Sequence, residues 1–290
     1  MMMVMAGVSL ASVPAFADEQ VFVFTYTTDL LPKDKYGVEQ WGTWRGQKAH
    51  GSFNLLEGRS EYSYPLDPSW ITGRATQGWL ATDVDSHDER PDQATAPQNY
   101  SQLGDTSRET SYFLDMYLRD TRALDWARTL PQWDKTTMVL YGGSMGGQQS
   151  LVTAGLNPGK VTAVFVNEPA GADSAASLHG RKPSYPDWQM SNPLVAKTAP
   201  YFDAANFTPN LTAPTMAAVG LIDSVCPPTS IFSEVNEIPA PHEIVPMPES
   251  EHMMYTPDKQ GAYIQRSKAA LTTLLHGGIY VPDETVSKDR

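Results

Sequence analysis

From about residue 78 onward, short apolar runs alternate with stretches of helical period, and this alternation dominates the chain. Residues 78–84 read as a short buried strand. Residues 107–130 put Phe113, Met116, Tyr117, Ala123, Leu124 and Ala127 close to helical spacing, with Thr110 or Ser111 as N-cap. That helix is expected to lay its apolar face on a sheet. A β-prone run at 137–141 is followed by a helix to Ala154 that stops at Gly155, then by a strand over 161–166. Further strands are expected at 215–221 and 243–245, and a helix closes the chain near His276. Strands and helices in this order predict a mostly parallel, doubly wound α/β sheet.

Two stretches break the pattern. Residues 19–64 form three runs rich in aromatic and β-branched residues, at 21–27, 37–45 and 51–64, and read as an antiparallel meander. They are either the first strands of one domain that fills the chain or a foreign N-terminal piece. Residues 171–209 are polar and rich in Ala, Ser, Asn and Pro, with aromatics at Tyr185, Trp188, Tyr201 and Phe202. A segment of this length inside a compact domain reads as an inserted cap. Its aromatics could stack on sugar rings, although packing the cap onto the body is the commoner use.

Composition narrows the function classes. At 290 residues and 41% hydrophobic content the chain can bury a substantial core. A net charge of −12 argues against a nucleic-acid partner, because no basic surface is expected to track phosphates. Cys226 is the single cysteine, so neither an intrachain disulfide nor a cysteine-rich zinc site can form, and a small buried apolar role is expected for it. Asp83, Asp85, His87 and Asp88 have irregular spacing for a metal site and are read as a solvated loop. No metal and no cofactor are therefore expected. Residues 1–17 are apolar and end in Ala15-Phe16-Ala17, which reads as a signal peptide with a small-residue cleavage site, although no Lys or Arg precedes it. A secreted or periplasmic protein is expected, with no membrane-spanning helix. The expected division is a signal peptide at 1–17, a β-rich segment at 18–63 and the α/β domain at 64–290.

The chemistry centres on Gly142-Gly143-Ser144-Met145-Gly146-Gly147, a G-x-S-x-G pattern between a strand and a helix. This is the pattern of a nucleophile elbow, in which a strained serine stands above the carboxyl edge of a sheet. Gly142 and Gly146 omit side chains where the strand and helix would collide. The new helix directs its free N–H groups at the same point. Serine needs a base within hydrogen-bond reach, and the base needs an orienting acid. In enzymes with this elbow the chain order is serine, acid, histidine. Asp223 follows one strand and His252 follows the next, so both are expected at the carboxyl edge beside Ser144. His242 precedes its strand, His276 lies at a helix end, and His50, His87 and His179 precede the acid; Glu234 and Glu237 are expected in a helix.

The chain from about Tyr64 onward resembles the acetyl xylan esterase and cephalosporin-C deacetylase family of α/β-hydrolases. The carrying residues are the elbow itself, Tyr201-Phe202-Asp203-Ala204-Ala205-Asn206-Phe207, Val219-Gly220-Leu221-Ile222-Asp223-Ser224-Val225-Cys226-Pro227-Pro228, Glu243-Ile244 and His252. The resemblance implies Ser144 as nucleophile, Asp223 as orienting acid, His252 as base, and deacetylation of small, often sugar-borne esters. It also implies an oxyanion hole formed by the backbone N–H of Met145 and one from Tyr64 or Tyr62, and a homo-oligomer. Family features are missing around 83–88, at Met145 and at Met253, which leaves the xylan and cephalosporin substrates open. Asp29-Leu30-Leu31-Pro32 and the stretch from Gln47 to Gly58 resemble the opening of bacterial outer-membrane β-barrel proteins. Three strands cannot close such a barrel. The expected activity is hydrolysis of a small-molecule carboxylic ester through an acyl-enzyme. The alternatives are a non-catalytic remnant or binding module joined to a foreign β segment, and a peptidase.

Overall fold

The computed structural model describes residues 53–58, 79–84, 100–131 and 133–283. Six strands form one sheet in the order β2-β1-β3-β4-β5-β6. They are β1 (Phe53–Gly58), β2 (Trp79–Val84), β3 (Met138–Gly143), β4 (Ala163–Asn167), β5 (Thr215–Gly220) and β6 (His242–Met247). Every pairing is parallel. The helices are α1 (Tyr112–Ala127), α2 (Met145–Leu156), α3 (Pro193–Thr198), α4 (Pro228–Val235) and α5 (Pro257–Leu275).

Period-two alternation along the strands feeds two cores. Met138, Leu140, Val164, Val166, Ala217, Val219 and Ile244 turn to one face, where Leu124 and Ala127 of α1, Leu151 and Ala154 of α2, and Ile231 and Val235 of α4 cover them. The intervening Val139, Ala163, Phe165, Met216, Ala218 and Val245 turn to the other, beneath Tyr263, Leu271 and Leu274 of α5. Burial on both faces explains why the strands read as continuous apolar runs. At roughly 1.5–3 kcal/mol for each large side chain fully withdrawn from water, these two layers are the main force holding the sheet flat against its helices.

The described part of the third run of the expected meander is not antiparallel. As β1 it pairs in parallel with both β2 and β3. Its apolar Phe53, Leu55 and Leu56 mark a strand, but direction is set by the strands it meets. The first two runs, and residues 1–17, lie outside the described residues. Because the chain steps from β1 out to β2 and then back across to β3, the winding reverses at the carboxyl ends of β1 and β3, a position where α/β sheets carry their sites.

Helix α1 is shorter than expected. It begins after Ser111, whose side chain makes no capping bond, and residues 107–110 form turns instead. Helix α2 passes through Gly155 and ends at Leu156. A Cβ on Gly155 would come 2.3 Å from the carbonyl oxygen of Phe207, so that glycine serves close packing and not helix termination. The 171–209 insertion is a string of short helical turns and α3, packed on α1 and α2. Trp188 stacks on Phe202 at 6.3 Å and lies 5.2 Å from Phe113, while the Tyr117 hydroxyl donates to the Phe202 carbonyl. Those aromatics are therefore packing residues. Tyr201 is half exposed, with the Arg108 guanidinium 5.1 Å from its ring centre.

Candidate active site

Ser144 sits between β3 and α2 with φ 51° and ψ −122°, a left-handed-side conformation that an L-residue holds only when its neighbours enforce it. Backbone bonds enforce it here. The Ser144 N–H donates to Asn167 O at 2.9 Å, and the Ser144 carbonyl accepts from Gln148 N at 3.1 Å and Ala170 N at 3.0 Å. A Cβ at Gly142 would lie 2.2 Å from the Gly146 carbonyl oxygen, and one at Gly147 2.8 Å from the Pro169 Cβ. The glycine spacing in the sequence thus corresponds to real collisions avoided.

Asp223 lies three residues beyond β5 and is buried. Its Oδ1 accepts from the backbone N–H groups of Val225 and Cys226 at 2.8 and 2.9 Å. Its Oδ2 is 2.8 Å from His252 Nδ1, and His252 Nε2 is 2.8 Å from Ser144 Oγ. The three side chains form one hydrogen-bonded line across residues 144, 223 and 252, on the carboxyl edges of β3, β5 and β6. Such a line can draw the hydroxyl proton onto the imidazole while the carboxylate holds the ring. The remnant alternative gains nothing from a geometry this complete.

Met145 is the first residue of α2, where its N–H has no carbonyl within the helix to accept it. The helix N-terminus also presents a partial positive charge to an anion forming at Ser144. The Met145 side chain is buried and accepts from the Tyr100 hydroxyl at 3.4 Å. Tyr64 and Tyr62, the expected source of a second donor, lie outside the described residues, as do Asp85, His87 and Asp88. His242 is the first residue of β6 and lies at the opposite edge, His276 follows α5, and Glu234 is a buried residue of α4 whose carboxyl oxygens have no hydrogen-bond partner among the described residues.

Among the described residues, one set of metal-capable side chains converges: Asp223, Cys226 and His252, with donor atoms within 4.8 Å of one another. There the imidazole and carboxylate already bond to each other, and burial pushes the Cys226 thiol well up, so its sulfur is a protonated and poor ligand. The expected burial of Cys226 is observed, but its place beside the triad was not legible as such.

A polar cluster that sequence reasoning missed supports the His252 loop from below. Glu168 follows β4, has φ 47°, and is fully buried. Its carboxyl accepts from the Met253 N–H and from Gln260 Nε2 at 3.1 Å, and its Oε1 shares a hydrogen bond with Ser250 Oγ at 2.8 Å. Gln260 Oε1 in turn accepts from Asn167 Nδ2 at 2.9 Å. Burial pushes the Glu168 pKa up to about 7, against the pull of its Met253 and Ser250 hydrogen bonds. The edge rule that selected Asp223 after β5 applies equally to an acid after β4, and would have found it.

The chain is similar to known proteins in sequence and in fold. Acetyl esterase Axe7A from Xylanibacter ruminicola is 34% identical over 201 residues, covering 64% of this chain and 46% of that protein. The chain thus spans about half the length of this curated relative. The fold matches the acetyl xylan esterase from Paenibacillus sp. R4, with TM-score 0.66, 22% identity and coverage of 87% of this chain and 88% of that one. It also matches acetyl xylan esterase 1 from Thermoanaerobacterium sp. JW/SL YS485, with TM-score 0.62, 19% identity and coverage of 89% and 86%. A family of unknown function, DUF6662, matches residues 14–78, a stretch that contains β1. The acetyl xylan esterase (AXE1) model matches residues 81–173 and 186–267, more than half of the chain and all three members of the hydrogen-bonded line, and the chain belongs to that family of α/β-hydrolases.

Proposed function

We propose that this protein hydrolyses short-chain carboxylic esters, acetyl esters foremost, through an acyl-enzyme on Ser144. His252 takes the Ser144 proton as the hydroxyl attacks the ester carbonyl and returns it to the leaving alcohol. Water then enters, is deprotonated by the same imidazole, and releases the carboxylic acid. Asp223 keeps the His252 ring in the tautomer that presents Nε2 to the serine. The Met145 N–H is one oxyanion donor, and a backbone N–H near Tyr64 is the second. The observation that carries this reading is the pair of 2.8 Å contacts joining Ser144, His252 and Asp223.

Carbohydrate-borne acetate is the favoured substrate class, supported by the family and by the names of its relatives. Export through residues 1–17, a separate origin for residues 18–63 and a homo-oligomeric assembly belong to the same proposal. N-terminal sequencing of exported protein and gel filtration test the first and last of these.

The enzyme reading is tested with 4-nitrophenyl acetate and acetylated xylo-oligosaccharides. The wild-type chain should turn over the ester at least about 10⁴-fold faster than Ser144→Ala, and should gain one adduct mass from a serine-directed phosphonate. Equal rates for the two, with no adduct, would end the proposal. Release of 4-nitroaniline from the matching anilide at a comparable rate would favour a peptidase.

A further inference from the structure

The hydrogen bonds around Glu168 can be counted proton by proton. Ser250 Oγ lies 2.8 Å from Glu168 Oε1 and 2.8 Å from the Glu251 carbonyl oxygen, while Gln260 Nε2 points at it from 3.0 Å. A serine hydroxyl has one proton and cannot donate to both oxygens. If Glu168 is ionised, Ser250 must turn to it, and the Glu251 carbonyl loses its donor. If Glu168 carries a proton on Oε1, that proton goes to Ser250 Oγ, and the Ser250 proton goes to the Glu251 carbonyl. Ser250 Oγ then accepts from Glu168 and Gln260, and Glu168 Oε2 accepts from Met253 N and Gln260 Nε2. Each short contact has one hydrogen only in the second arrangement.

The position of this group matters because of what it holds. Met253 follows His252 directly and has φ 54°, so the Met253 N–H bond fixes the backbone that aims the imidazole. A Cβ on Gly220 would come 2.3 Å from Glu168 Oε1 and 2.8 Å from the Ser250 carbonyl oxygen, so the carboxyl is wedged between the end of β5 and the His252 loop. The charged groups facing it are Asp223, beyond β5, and His252, on the loop; Ser250, Gln260, Asn167 and the Met253 amide around it are uncharged. A second carboxylate here would compete with Asp223 for the imidazolium.

We propose that Glu168 is a positioning residue that works as a neutral carboxylic acid, fixing the His252 loop through the Met253 N–H and leaving Asp223 as the anion that His252 faces. This rests on the esterase reading for its kinetic consequence, but not for the protonation state. Burial and the nearby Asp223 charge push the proton onto the same carboxyl. As pH rises through about 7 the group ionises and places a second negative charge beside the His252 loop.

Glutamine is the isostere of the neutral acid, with an oxygen to accept from Met253 and an N–H to give to Ser250. Wild type, Glu168→Gln and Glu168→Ala are compared in kcat, KM and pH profile on 4-nitrophenyl acetate. At pH 6.5, Glu168→Ala should lose at least about tenfold in kcat with KM within about twofold, since the base is misaimed and the substrate is untouched. Glu168→Gln should restore kcat to within about threefold of wild type, and its acidic limb should move down by about half a pH unit. Equal losses in both variants would show that the charge is required, and full kcat in Glu168→Ala would show that nothing is positioned; either overturns the proposal. A ¹³C titration of the side-chain carboxyls, assigned by comparison with Glu168→Gln, reads the protonation state without turnover. A midpoint above about 6 is expected, and one at the ordinary carboxylate value overturns the proposal even in an inactive protein. Wild-type turnover no faster than Ser144→Ala would instead count against the esterase reading alone.

Discussion

The serine elbow and the histidine loop meet at one hydrogen bond and are held in opposite ways. Around Ser144 the fixing bonds are all backbone to backbone, from Asn167, Gln148 and Ala170, and the space is made by glycines. Around His252 the fixing bond runs from the Met253 backbone to a side chain, and that side chain is supported by two others, Ser250 and Gln260. A backbone clamp has no titrating member and is indifferent to pH. A carboxyl clamp is not. Ser144 is therefore on the rigid half of this site, and His252 is on the half that solution conditions can adjust.

The strongest way to break that comparison is to attack the rigid half. An alanine at Gly142 would put its Cβ 2.2 Å from the Gly146 oxygen and 2.3 Å from the Gly146 carbonyl carbon, both backbone atoms that cannot swing aside. Gly142→Ala is expected to lose more than about 3 kcal/mol of stability and about 10 °C or more in Tm, at every pH. Differential scanning calorimetry at pH 5 and pH 8 checks it. A Tm drop of only a few degrees would mean that the elbow relaxes, and that its geometry is less enforced than the close approaches imply.

The adjustable half gives a smaller effect with a pH signature. An acid whose folded pKa is raised from about 4.5 to about 7 binds its proton more tightly in the folded state. Its ionisation therefore subtracts stability, beginning as pH rises above the unfolded value and complete above the folded one. A shift of this size corresponds to about 3 kcal/mol at most. Relative to wild type, Glu168→Gln should thus gain stability between pH 4.5 and pH 7 and hold the gain above it, by several degrees in Tm at pH 8 compared with pH 5. A difference in Tm that does not change with pH would place the Glu168 pKa at its ordinary value.

The two halves were also unequally legible in the sequence. The elbow is written locally, in glycines two residues either side of Ser144 and in the strand and helix that flank it. Asp223 and His252 followed from chain order and from the edge of the sheet where strands end. The same edge rule places Glu168 at this rim, but not its role as a clamp, because its partners lie 82 and 92 positions away and only the fold brings Ser250 and Gln260 to it. Gly155 misled for the reverse reason: a glycine near the end of a helical pattern reads as a stop, whereas here it admits the backbone of Phe207 from the distant insertion. The direction of β1 was hidden as well, since alternation within a strand carries its faces but not its neighbours.

The smallest predicted effect separates the carboxyl from its support. Ser250→Ala removes the hydroxyl that bridges Glu168 Oε1 and the Glu251 carbonyl, while leaving the Met253 and Gln260 bonds to Oε2 in place. Losing one hydrogen bond of this kind costs about 1 kcal/mol, and somewhat more where a partner is left buried and unpaired. The loop should still be held, so kcat should fall by no more than about fivefold, well short of the loss in Glu168→Ala. A loss in kcat as large as that of Glu168→Ala would put the clamp in the serine and make the carboxyl its accessory, reversing the order of support beneath His252.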